Sequence, residues 1–184
     1  MSTFNVLSNK DVHLFLADDG ATSTAATLSN ELTMITNFTQ PKAKKEFADE
    51  QVFGNGGKPI PIPGNLSMES IELTFLRNAT DASGDSYTLI NNWAEEAMAD
   101  DSKWKYVFVA IPRISSGQTP TTVYEGYQYR VQPEGVPQLV DNTPGVGQKY
   151  SLSLKPDMND SMPVYIQKTG TTSITWQVKD SAFT

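Results

Sequence analysis

Short runs of β-branched and aromatic residues, each closed by Gly or Pro, follow one another along this chain. A chain interrupted so often cannot build many long helices; it folds as short strands in a sandwich or barrel. The 12 glycines and 11 prolines are the punctuation. Between them the sequence predicts strands at Val12–Ala17, Glu31–Thr39, Lys45–Phe53, Ile71–Arg77, Trp104–Ile111, Thr122–Gln132, Lys149–Leu154, Val164–Lys168 and Ser173–Val178. Several alternate with period two. Ile71, Leu73 and Phe75 oppose Glu72 and Thr74, while Val123, Tyr127, Tyr129 and Val131 oppose Tyr124, Gln128 and Arg130. Such alternation marks a sheet with one face on a core.

One segment departs from this pattern. Tyr87, Ile90, Trp93, Ala94, Ala97 and Met98 recur at three- and four-residue steps, and Gly84-Asp85-Ser86 upstream supplies a breaker and an N-cap. The spacing predicts one amphipathic helix over about 86–99, with Leu89, Ile90 and Trp93 anchoring it to the sheet. Asp100 and Asp101 would sit at the negative end of its dipole, so fraying or a sharp stop is expected there. The expected fold is therefore mainly β, a sandwich or barrel with one flanking helix and long loops. No internal repeat or linker interrupts it, so residues 1–184 read as one domain.

Two stretches read as extended arms, at about 53–65 and 132–148. From Phe53 to Gly64 the chain holds four glycines and three prolines, beginning as a Gly turn and continuing as Pro59-Ile60-Pro61-Ile62-Pro63-Gly64. Ordinary sheet pairing does not bury Ile60 and Ile62 in such an arm, which then needs a partner. Phe53, Gly54, Gly57, Lys58, Ile60 and Ile62 are the candidate inter-subunit or inter-ring contact residues. Gln132–Gln148 is a second Pro/Gly-rich connection of a length that is usually functional or disordered.

The remaining composition excludes more than it suggests. With 14 basic and 21 acidic residues the net charge is −7, which argues against gripping nucleic acid through a basic patch. The absence of Cys removes disulfides, thiolate metal sites and thiol nucleophiles. No run of ~20 apolar residues predicts a membrane span, and the first residues lack the basic-then-apolar pattern of an export signal. We expect a soluble protein without a membrane anchor. His13 is the only His and lies within an apolar alternation, with no nucleophile-elbow pattern to accompany it. Acidic pairs such as Asp18-Asp19, Asp49-Glu50 and Glu95-Glu96 read as solvated faces rather than glycosidase pairs. Gly54–Lys58 has the glycines and lysine of a phosphate loop, yet Pro59 stands where Ser or Thr would bind magnesium and no helix can follow. Asp81–Asp85 begins like a calcium loop but has Ser86 and Asn92 where Gly and Glu are needed. No catalytic residue, metal site or cofactor is expected.

Gly56-Gly57-Lys58-Pro59-Ile60-Pro61-Ile62-Pro63-Gly64, then Ile71–Arg77, then Leu89 and Trp93 on a helix, together resemble the tail tube (major tail) proteins of tailed bacteriophages. The resemblance spans roughly residues 31–132; the chain departs from it by inserting Asn78–Asp85 and by the Pro-rich 132–148 segment. It implies a fold shared with the type VI secretion tube protein. It further implies a structural, non-enzymatic virion protein, made and assembled in the host cytoplasm. Its hexameric rings would stack into a passive conduit for genome ejection. The implied partners are other copies of itself, the tape measure, tail terminator and baseplate or tail-tip proteins, with phage DNA passing through unbound. A conduit should repel DNA, and the acids on strand faces opposite the core are the lumen candidates. They are Glu72, alternating with Ile71 and Leu73, and Glu50, opposite Phe47 and Phe53, with Glu46 on the face of Glu50. The competing reading is an all-β ligand- or carbohydrate-binding virion module, with Trp104, Tyr124, Tyr127, Tyr129 and Trp176 as its aromatic platform.

Overall fold

The computed structural model describes residues 12–19, 31–51, 59–77, 85–112, 123–141, 147–169 and 173–178. Within them the order is β1 (His13–Asp18), β2 (Ile35–Thr39), β3 (Ala43–Gln51), β4 (Pro59–Met68), β5 (Ile71–Leu76) and α1 (Ser86–Ala99). There follow β6 (Lys105–Pro112), β7 (Val123–Pro133), β8 (Gln138–Asp141), β9 (Lys149–Pro156), a 3-10 turn (Met158–Asp160), β10 (Met162–Thr169) and β11 (Ser173–Val178). The protein is mainly β with a single helix among the described residues, as the punctuation and periodicity predict. Two strands lie where the sequence predicts loops, β4 in the first arm and β8 in the second.

Nine strands form one antiparallel sheet in the order β1-β6-β7-β9-β5-β2, with β10 and β11 continuing from β7 and β8 from β9. β7 is long enough to serve two neighbours on one side. Its first half pairs with β10 and its last residues, Val131–Pro133, pair with β9. The sheet consequently forks and curls. At the far ends of its main path, β1 and β2 approach one another across the segment 31–34. Glu31 bridges to Phe15, the Leu32 N–H donates to the Leu14 carbonyl (2.8 Å), and the Leu76 N–H donates to the Met34 carbonyl (3.0 Å). Met34 turns this corner with φ 60°, a left-handed conformation that a side chain normally avoids.

The curl makes two cores. One lies inside the main sheet and under the helix, where Ile71, Leu73, Phe75, Val107, Val131, Leu152 and Leu154 meet Ile90, Trp93, Ala94 and Ala97. The other lies on the opposite face, where Phe15, Ala17, Phe108 and Ala110 meet Val164, Ile166 and Trp176. β1 and β6 border both, which is why Leu14–Ala17 and Val107–Ala110 are apolar at every position rather than at alternate ones. In a flat sheet β11 would sit three strand spacings, roughly 14 Å, from β6. The Phe108 and Trp176 ring centroids are instead 4.7 Å apart. The β10–β11 hairpin therefore folds over this face. Gly126 marks the tight approach of β7 to β6: a Cβ there would meet the Val109 carbonyl oxygen at 1.6 Å.

The helix is fastened at both ends. Ser86 is fully buried and its Oγ accepts from the Thr33 N–H (2.7 Å), so the helix start is tied to the segment that joins β1 to β2. Near the other end the Trp93 indole is 3% exposed, and its Nε1 donates to the Lys103 carbonyl (2.8 Å). Ile90 is buried beside it, whereas Leu89 is only half-buried and outside the core cluster. The helix stops sharply at Asp100, whose backbone is extended and whose Oδ1 accepts from the Ser102 N–H and hydroxyl. Those Ser102 bonds hold its carboxyl below the usual carboxylate range.

Trp93→Ala removes the largest side chain of the helix from the inner core and should cost ~3–5 kcal/mol. The thermal midpoint is expected to fall by roughly 10 °C or more, with an unchanged midpoint placing the stability elsewhere. Gly126→Ala should abolish folding, judged by near-ultraviolet circular dichroism. Gly135→Ala, where nothing lies within 4 Å of the new methyl, should change stability by no more than about 0.5 kcal/mol.

Candidate assembly surface

β3 and β4 form a separate two-stranded ribbon, paired with each other and with no other described strand. Three contacts hold its root. Gln40 Nε2 donates to the buried Tyr129 hydroxyl (2.8 Å), the Glu69 N–H donates to the Lys42 carbonyl (3.1 Å), and Lys155 Nζ donates to the Met68 carbonyl (3.3 Å). Burial pushes the Tyr129 hydroxyl up to about 12, partly offset by the bond from Gln40. Beyond the root the ribbon meets solvent. Every β3 side chain from Ala43 to Ala48 is exposed, Phe47 at 61%, and Leu66 on β4 is 56% exposed. At ~3.3 Å per residue the strands reach about 30 Å, and two strands alone are marginal in water.

The proline pattern that predicts a loop explains why a strand forms. Pro59, Pro61 and Pro63 pair with Gln51, Asp49 and Phe47, and Ile60 and Ile62 with Glu50 and Ala48. Alternate residues of a strand aim their N–H groups at the same edge, so prolines at every second position leave all the missing donors on the outer edge of β4. Pairing with β3 then uses the isoleucine amides. Pro63-Gly64 lies at a bulge, since the register slips between Lys45↔Leu66 and Phe47↔Pro63. Of the arm residues singled out from sequence, Ile60 and Ile62 thus lie in a paired strand, while Phe53, Gly54, Gly57 and Lys58 lie outside the described residues. Phe47 and Leu66, not singled out, are the large apolar residues exposed on the ribbon among its described side chains; Phe47 had a signal, being an aromatic in a run of charged residues.

A second apolar surface lies on β8, a short strand on the edge of β9 whose register slips between Leu139 and Asp141. Val136, Leu139 and Val140 are 42–56% exposed there. The acids assigned to a lumen divide between two places. Glu46 and Glu50 are on the ribbon, Glu50 paired with Ile60, whereas Glu72 is on the outer face of the main sheet and accepts from the Ser153 hydroxyl (2.7 Å). Thr39 and Ser153 flank Glu72 on the neighbouring strands, and Asn37 and Ser151 flank Thr74. That face is polar, with Lys149 and Lys155 sharing it with the two serines along β9.

The remaining ionic and aromatic contacts hold the fold together. His13 Nδ1 lies 2.5 Å from Glu31 Oε1, closing the corner between β1 and the segment that follows it. Arg130 binds Asp19 (2.7 Å) and Asp157 (3.1 Å), lies 3.8 Å from Asp160, and stacks on Trp104 at 4.6 Å. The Asp19 bond, reinforced by Asp157, raises the guanidinium pKa further, so Arg130 is a permanent tie between β7 and the chain after β1 and β9. The five aromatics considered for a sugar platform do not share one exposed face, although the Tyr127 and Tyr129 rings stack at 6.0 Å. Tyr129 and Trp176 are buried in different cores, Trp104 lies under Arg130, Tyr124 packs on His13, and only Tyr127 is well exposed. Among the described residues no cluster of His, Cys, Asp or Glu can hold a metal, and no helix is long and apolar enough to cross a membrane.

No family model matches the sequence, and no curated protein matches it either. Solved structures do match. A chain of the six-fold symmetrised baseplate of the anti-feeding prophage aligns over 89% of this chain and 97% of its own, with TM-score 0.53 and 14% identity. A chain of that particle's tube-terminating cap aligns over 97% and 95%, with TM-score 0.50 and 11% identity. The chain has the fold of phage-tail proteins. The SPP1 tail tube also aligns, over 95% of this chain and 81% of its own, at TM-score 0.45 and 14% identity.

A strand whose side chains from Ala43 to Ala48 all meet solvent should exchange its amide hydrogens quickly in the monomer. We expect Ala43–Ala48 to be among the least protected described strand residues and β6 among the most, as read by hydrogen–deuterium exchange at low protein concentration. Equal protection of the two would show that the ribbon packs on the body.

Proposed function

We propose that this protein is a structural, non-enzymatic subunit of a phage-tail tube. Its copies form hexameric rings that stack into a passive conduit for genome ejection. The β3–β4 ribbon carries this reading: an anchored, ~30 Å projection with exposed Phe47 and Leu66 leaves its apolar surface in water unless another copy covers it. The tail fold supports it, as does the six-fold symmetry of the anti-feeding prophage baseplate. The partners are then other copies of the chain and the terminator, tape measure and baseplate proteins at the ends of the tube. The work is mechanical and uses no cofactor. Assembly happens before the particle leaves the host cell.

Electron microscopy and sedimentation velocity of concentrated protein test the reading. Rings or tubes are expected; monomer at every concentration would overturn it. Phe47→Asp combined with Leu66→Asp should leave the thermal midpoint unchanged and stop assembly, because both side chains are outside either core.

The channel wall gives a second test. Six copies carry six times the chain's −7, and screening confines their field to ~8 Å at physiological salt. If Glu50 and Glu72 line the lumen, changing both to Lys should leave tubes intact and slow DNA release from triggered particles. Release at the parental rate would remove these positions from the channel.

A further inference from the structure

The main sheet is left open along one seam, and the seam is a groove. Between β1 and β2 lies a cleft of about 530 Å³, within the range of sites that hold a bound group. Leu14, Leu32 and Val109 form its buried apolar lining, with Ile35, Phe38 and Ile111 half-buried around them. Both lips are strand edges. Among the described residues β2 pairs only with β5 and β1 only with β6, apart from the short stitch at Glu31 and Leu32. Glu31 is the one acidic residue of the lining, set beside His13 with its side chain 35% exposed.

We propose that this groove receives the β3–β4 ribbon of a second copy of the chain, with Phe47 entering the apolar lining and Lys45 facing Glu31. The inference rests on the tube-subunit reading and adds the surface that accepts the arm. Charge complementarity selects the occupant. Among the described residues Lys42, Lys44 and Lys45 are exposed on the ribbon and its root, whereas Lys103, Lys105, Arg130 and Lys149 are each paired with an acid of the body, Lys155 Nζ donates to the Met68 carbonyl and Arg77 stacks on Tyr87. Lys45 lies two residues from Phe47 on the same strand face, so a cation and an aromatic ring present together the features that the groove complements.

Geometry makes the contact intermolecular and repeatable. Gln40 both lines the groove and begins the ribbon root, so the ribbon departs from one end of the groove its own chain forms. A copy that accepts a neighbour's ribbon offers its own ribbon from the adjoining surface. Donor and acceptor are different surfaces, which is the head-to-tail arrangement that generates rings or stacks.

The absence of Cys makes cross-linking specific. Single variants Phe47→Cys and Phe38→Cys are purified separately, checked for the parental thermal midpoint, mixed under assembling conditions and treated with a short bismaleimide. A band of twice the chain mass is expected from the mixture and not from either variant alone. Leu66→Cys with Ile111→Cys serves as a second pair should the first perturb assembly. Normal rings or tubes with no cross-link from either pair would overturn the groove assignment while leaving the tube-subunit reading intact; failure of the parent protein to assemble would overturn both. In a parallel arm, Glu31→Lys should raise the protein concentration needed for assembly at least tenfold, with recovery when Lys45→Glu is added to the same chain. Lack of recovery in a protein whose monomer melts normally would remove the Lys45–Glu31 contact.

Discussion

Burial of β1 and β6 on both faces is the constraint that organises this molecule. A strand with a core on each side has no polar face to give to solvent, so Leu14–Ala17 and Val107–Ala110 must be apolar throughout. The helix covers one side of this pair of strands and the folded-over β10–β11 hairpin the other. That second covering depends on Gly126 and Ala110, which are small enough for the sheet to bend sharply. Polar ties then finish the periphery: Arg130 gathers the residues after β1 and β9, and Ser86 holds the segment that joins β1 to β2.

The same economy leaves the molecule incomplete at its margins. Five of the exposed large apolar residues among those described fall in two groups, Phe47 and Leu66 on the ribbon and Val136, Leu139 and Val140 near β8; Val12, Met34, Met98 and Tyr127 stand apart from them. The ribbon gains fixed direction from its root at Gln40, Lys42 and Met68, while Ala43–Ala48 stay exposed. A fixed base that carries exposed Phe47 and Leu66 is suited to a partner more than to an isolated chain. In the assembly we propose, that partner is another copy, received in the groove beside β2.

Much of this was legible in the sequence because period is a local property. The three- and four-residue spacing from Tyr87 to Met98 marks the helix, and the alternation in Ile71–Phe75 marks β5. The failures have physical causes. β4 reads as a loop because Pro is a poor strand residue on average, an average that ignores what happens when prolines fall at every second position. β8 is four residues long and mostly exposed, so it lacks the burial that creates a pattern. The groove and the second core depend on the curl of the sheet, which brings residues distant in sequence together and leaves no periodic trace. Glu46, Glu50 and Glu72 are individually visible as acids on strand faces, yet their separation between ribbon and sheet is a matter of topology.

The prolines of β4 also set a valency. A β-ribbon open on both edges can recruit strands without limit, and its products grow sideways into fibrils. With one margin sealed, accretion from that side is closed, leaving side-chain docking and the opposite margin as the means of association. The ribbon can be adhesive without being a template. Order in any polymer it builds then comes from the shape of whole subunits, and its dimensions are finite across even where they are open along.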